Sequence, residues 1–124
     1  MLTRLNFIKG QTMFYKVEVF IPENNVEQFI FELNERGYLK DGPYDNVFAA
    51  SPVMGHWRPL EGSHPHIGAT NELSCEKEMK LEFRIKKVDI IPALQIMKDA
   101  HPYEVPVINV LEILDWQFLI AQDK

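Results

Sequence analysis

The sequence predicts an α+β domain: one antiparallel sheet with two helices on one of its faces. Three observations predict it. Residues 14–21 and 77–86 alternate apolar and polar side chains with the two-residue period of a half-buried strand. Residues 26–37 carry apolar side chains at helical spacing. A long stretch with neither period, residues 55–68, separates the two halves of the chain. The full order is strand, helix, strand, loop, strand, helix, strand. That is the split βαβ pattern of a ferredoxin-like βαββαβ sandwich.

Each element has its own signal. In the first strand Tyr15, Val17, Val19 and Ile21 share one face, Phe14 and Phe20 take the other, and Pro22 ends the run. Val26, Phe29, Ile30 and Leu33 then mark the first helix, with Asn24 or Asn25 as N-cap, Arg36 in its last turn and Gly37 as the C′ residue. Gly42-Pro43 reads as a turn, and the short apolar stretch 46–51 as a second strand. In the third strand Met79, Leu81, Phe83 and Ile85 face one way, and Glu78, Lys80, Glu82, Arg84 and Lys86 the other. Val88, Ile91, Leu94 and Met97 predict the second helix, with Asp89 as an early acid and Pro92 in its first turn. His101-Pro102 stops it, and residues 105–114 make the last strand. Residues 115–124, with Trp116, Phe118, Leu119 and Ile120, form an apolar tail expected to pack on this chain or a neighbour. Residues 1–13 read as an N-terminal extension, with Met13 a second candidate start. One domain, 14–114, fits a length of 124 residues.

Composition narrows the function classes. The chain is 46% hydrophobic and 25% charged, with a net charge of −5 and no basic cluster. That disfavours nucleic acid and anionic membranes as partners. No apolar run reaches the length of a membrane span and no secretory signal opens the chain, so a cytoplasmic location is expected. The single cysteine, Cys75, rules out an internal disulfide and a four-cysteine zinc site. Nucleotide-binding glycine motifs and nucleophile motifs are absent, so the sequence offers nothing for an enzyme.

The candidate chemistry lies in residues 55–68, which hold three of the four histidines, Trp57, Arg58 and Glu61. His56, His64 and His66 are candidate metal ligands, since imidazole suits zinc and copper. The alternative is a set of solvated loop histidines. Arg58 and Glu61 form either an anion clamp or an ion pair that shapes the loop, the second being favoured. Trp57 either stacks on a ligand or anchors the loop. His101 and Glu104, just past a helix end, either join a binding site or orient their turn.

Arg58-Pro59-Leu60-Glu61-Gly62 continuing to Pro65 and Ile67-Gly68, with Ala100-His101-Pro102-Tyr103-Glu104 followed by Pro106, resembles the insert domain of the NGG-one-interacting-factor-three-like proteins, also called dinuclear-metal-centre hexameric proteins. Tyr15-Lys16-Val17 and the 25–37 helix add to the match. The resemblance implies a PII- or CutA-like fold that associates with copies of itself, as a trimer or dimer. That family's metal centre lies in flanking halves which this chain lacks, so its metal ligands do not carry over. His64 and His66 stand where Asn and an aromatic residue are expected, and Val105 and Asn109 where acids are common. The resulting expectation is a self-associating binding or regulatory module, taking a transition metal or small anion at residues 55–68. The alternative is an oligomerisation domain without a ligand.

Overall fold

The computed structural model describes residues 13–123. Residues 1–12, the body of the predicted extension, lie outside the described residues. Four strands form one sheet: β1 (Phe14–Pro22), β2 (Ala49–Trp57), β3 (Ser74–Lys86) and β4 (Val107–Glu112). Their spatial order is β2-β3-β1-β4, and every neighbouring pair is antiparallel. This is the ferredoxin-like order. Helices α1 (Val26–Asn34) and α2 (Ile90–Ala100) pack against each other and supply the helical side of a single core. A short third helix, α3 (Trp116–Gln122), occupies the tail.

The core follows from the strand alternation. Val17, Val19 and Ile21 of β1 and Leu81, Phe83 and Ile85 of β3 are buried beneath Phe29, Ile30 and Leu33 of α1 and Ala93 and Met97 of α2. Register pairs Val19 with Leu81 and Val17 with Phe83, so the apolar faces of the central strands coincide. Helix α1 ends as expected. Gly37 sits at φ 78°, the Gly37 N–H bonds Asn34 O, and the Tyr38 N–H bonds Leu33 O, the paired bonds of a Schellman closure. Arg36 also donates to Glu32 O. Asn25 makes no side-chain cap, because a 3₁₀ turn at Glu23–Asn25 supplies the entry to α1 instead.

Several expectations are corrected. The second strand runs to Trp57 rather than stopping at residue 51, because Gly55, His56 and Trp57 pair with Glu76, Cys75 and Ser74 of β3. Pro52 is tolerated within it because β2 is an edge strand. Val88 and Ile91 are exposed, not buried. A 3₁₀ turn at Lys87–Asp89 precedes α2 and sets its phase, so that Ile90, Ala93 and Met97 face inward. The last strand is shorter than predicted, starting after Pro106, which has no N–H for the ladder.

The helix-free face of the sheet is not uniformly apolar. At its centre Lys16 and Lys80 each pair with Glu18 and Glu82. Phe14 lies beneath the Arg84 guanidinium, 4.6 Å from the ring centroid, and Phe20 faces a cavity at the other end. Among the exposed apolar side chains are Val107 and Leu111 of β4 and Leu114, Trp116 and Ile120 of the tail. The start of the tail is fastened where the buried Asp115 takes a 2.6 Å bond from Arg84.

Candidate functional site

The C-terminal ends of β1 and β2 meet the N-terminal ends of β3 and β4 at one end of the sheet. Two loops fold over the helix-free face there, residues 58–73 and residues 101–106. Strand alternation places Val53, Gly55 and Trp57 of β2 on this face, with Glu78 of β3, Phe20 of β1 and Val107 of β4. Together they enclose a cavity of about 670 Å³ with a mainly apolar wall. Leu60, Pro65, Ile67 and Val105 complete it from the loops.

Tyr103 is the centre of this arrangement. Its ring lies 5.7 Å from Trp57, 6.2 Å from His66 and 5.1 Å from His101, centroid to centroid. Its hydroxyl donates a 2.6 Å hydrogen bond to Glu78 Oε2. Burial, and then the Glu78 carboxylate beside it, push that hydroxyl above the ordinary phenol range, so it stays a donor. The Trp57 indole N–H bonds Ile67 O, and the His64 N–H bonds Glu104 Oε1. These two bonds hold the long loop to the strand end and to the second loop.

His101 is buried behind Tyr103. Its Nε2–H donates to Phe20 O at 2.7 Å, and its Nδ1 accepts from the Tyr103 N–H at 3.1 Å. Both nitrogens are therefore used in the neutral ring. Burial holds its pKa below the ordinary histidine value, with His66 acting the same way, against the raising effects of the Phe20 carbonyl and Glu78. The side chain that the sequence offered as a ligand contact instead orients the turn, which was the alternative reading.

The other predicted residues divide. Trp57, Arg58 and Glu104 line the cavity, as do His56 and His66. Glu61 is exposed and lies outside the lining, and it makes no ion pair with Arg58. The favoured loop-shaping pair is thus not formed. A turn closed by the Ser63 N–H on Leu60 O carries Glu61 away from the wall. The three histidines are not gathered either: among the described residues no group of three or more His, Cys, Asp or Glu side chains is arranged to hold a metal ion. The reason is the length of β2, which fixes His56 in a strand beside Cys75, at 3.8 Å, while His64 and His66 belong to the loop above. Sequence reasoning missed Glu78 and Tyr103. The strict alternation of β3 puts Glu78 on a nominally solvated face, and only the folded loops bury it. Tyr103 carried a signal, since it stands inside the His-Pro-Tyr-Glu motif.

No family model matches the sequence. A protein of Staphylococcus epidermidis named "GTP cyclohydrolase 1 type 2 homolog" is 37% identical over 104 residues, which cover 84% of this chain and 28% of that protein. One of the same name from Staphylococcus aureus is 36% identical over 103 residues, covering 83% and 28%. A Bacillus cereus protein related to NIF3 superposes with a TM-score of 0.71 at 25% identity, over 84% of this chain and 26% of that one. CutA from Synechococcus elongatus superposes with a TM-score of 0.64 at 15% identity, over 90% and 86%, a likeness of fold alone. The fold is that of a PII- or CutA-like domain. The chain belongs to the NIF3-like family, as a homologue of one segment of its longer members. It spans about 28% of the length of the curated relatives it matches.

Proposed function

We propose that this chain is a non-enzymatic, self-associating binding module, and that the cavity at the end of the sheet receives a small organic ligand. The observation that carries this reading is the cavity itself, about 670 Å³ with an aromatic and aliphatic wall and few polar groups, the size and character of a small-molecule site. Arg58 supports an anionic group on that ligand. It lines the cavity, is exposed, and has no hydrogen bond or ion pair among the described residues. His101, the side chain best suited to general-base work, is turned away with both nitrogens engaged, which favours binding over catalysis. The test is native mass spectrometry of the protein as purified, with a thermal-shift screen of small metabolites. The expected result is a bound or stabilising molecule that Trp57→Ala and Arg58→Ala each release or weaken. A screen without a single hit whose effect depends on Trp57 would sink the reading.

Self-association is proposed on a separate observation, the exposed apolar side chains of β4 and the tail. Light scattering over a dilution series is expected to give a mass of two or three chains at micromolar concentration. A single-chain mass throughout would overturn it. The described residues of one protomer gather no three-ligand set, so a zinc or copper site at His56, His64 and His66 calls for residues of more than one copy. Repeating the series with added zinc, beside His64→Ala and His66→Ala, tests that addition. Zinc that raises neither assembly nor thermal midpoint removes the metal from the proposal. No helix of the described residues is long and apolar enough to cross a membrane.

A further inference from the structure

We infer that the cavity recognises a nitrogenous group, an amine or an amidine-like N–H edge, through Glu78. This rests on the reading of the cavity as a small-molecule site and specifies the polar end that Arg58 does not explain. Glu78 is 5% exposed, yet it lies in the cavity wall. It has no ion pair with any Lys, Arg or His among the described residues. Its nearest strand neighbours on this face leave it alone: Lys80 is committed to Glu18 and Glu82, and Val53 opposite it is apolar. A carboxylate taken out of water without a cation is costly unless other groups satisfy it. Tyr103 satisfies one oxygen, Oε2. The other oxygen, Oε1, has no hydrogen bond among the described residues and lies over the backbone of Gly55, where any Cβ would overlap it. No buried side-chain oxygen lacks a partner among the described residues, so Oε1 is open to the cavity rather than sealed in protein.

The arrangement is therefore an acceptor held in place from one side and left open on the other. Tyr103, kept protonated, fixes the carboxylate by donating to Oε2, and glycine at position 55 leaves room for Oε1 at the cavity floor. Trp57 and Tyr103 also line the cavity, with ring centroids 5.7 Å apart, and supply aromatic surface for a planar or cationic group. An N–H donor with positive charge makes the strongest complement to such an acceptor, because a charge-assisted bond inside a low-polarity wall exceeds a neutral one. An anionic group at the same position faces like-charge repulsion from Glu78. The ligand that fits both ends is amphoteric: its nitrogenous end lies at Glu78 and its acidic end at the Arg58 rim.

Three probes of one ring size and different charge test this: benzamidine, benzyl alcohol and benzoate. Binding is read from the emission of Trp57 in a Trp116→Phe background, which leaves one indole. Benzamidine is expected to bind at least tenfold more tightly than benzyl alcohol. Glu78→Gln, which keeps an acceptor for Tyr103, is expected to remove that advantage. Gly55→Ala, which displaces the carboxylate, is expected to do the same. Equal binding of the three probes, or a benzamidine preference that survives Glu78→Gln, overturns the inference and leaves the cavity reading standing. Failure of all three to bind, in a protein whose melting curve is intact, overturns both.

Discussion

Phe29→Ala is expected to lower the free energy of unfolding by about 3–5 kcal/mol, the usual cost of emptying an aromatic site in a close-packed core. Phe29 is fully buried in α1 and belongs to the single core cluster. The loss is comparable with the whole stability of a marginal domain, about 5–15 kcal/mol. The effect reaches the site as well. Phe29 meets the His101 ring edge to face, 6.3 Å between centroids, so the same substitution removes the wall that seats His101. Equilibrium denaturation with urea measures the first effect, and Trp57 emission in the same titration, run in a Trp116→Phe background, reports the second. The expected result is a large drop in the midpoint together with early loosening of Trp57. Phe31→Ala on the same helix, where the ring is 53% exposed, serves as the control and is expected to cost much less. Equal losses from the two would mean that burial does not set the contribution.

How much of this was legible in the sequence follows from what each residue depends on. Val17, Val19, Phe29, Leu33, Leu81 and Ile85 are buried by local period alone, and period is written in the chain. The same holds for the Gly37 helix stop, which needs only a left-handed residue at the right place. Failures arise where phase or burial is set from elsewhere. Val88 and Ile91 have helical spacing, but the 3₁₀ turn before α2 rotates the inward face to Ile90, Ala93 and Met97. Gly55, His56 and Trp57 look like loop residues, and only pairing with Glu76, Cys75 and Ser74 makes them strand. Glu78 reads as a solvated charge because its environment is made by Tyr103, twenty-five residues on. The site was legible as a region through its Trp, Arg and histidines. It was not legible as a geometry, because a contact such as His64 N–H to Glu104 joins positions forty residues apart.

His101→Ala is expected to destabilise the fold and to make its stability less dependent on pH. The first effect comes from two orphaned backbone groups. Without the imidazole, Phe20 O loses its donor and the Tyr103 N–H its acceptor, each costing about 1–3 kcal/mol where water does not replace the partner. The second effect has a definite sign. The neutral ring uses Nε2–H as donor and Nδ1 as acceptor. A proton on Nδ1 removes the acceptor and sets two N–H groups where one must face the Tyr103 amide. Burial is the main cause of the lowered pKa. The groups facing the ring are the Phe20 carbonyl and Glu78, which favour the charged form, and His66, which opposes it. In the unfolded chain His101 takes its proton near the ordinary value of about 6.5. A lowered folded value means the unfolded state binds more protons below that pH. The stabilising contribution of His101 is therefore fully present above about 6.5 and is lost as pH falls toward the folded value. Urea midpoints of wild type and His101→Ala at pH 7.5 and pH 5.5 measure both effects. The expected pattern is a gap between the two proteins that is wide at pH 7.5 and narrower at pH 5.5. Since His101 fixes the turn that carries Tyr103 and Glu104, Trp57 emission in the native Trp116→Phe protein is expected to change as pH falls through the lowered folded value. A gap that stays constant or widens on acidification would show that His101 is not held neutral in the folded protein.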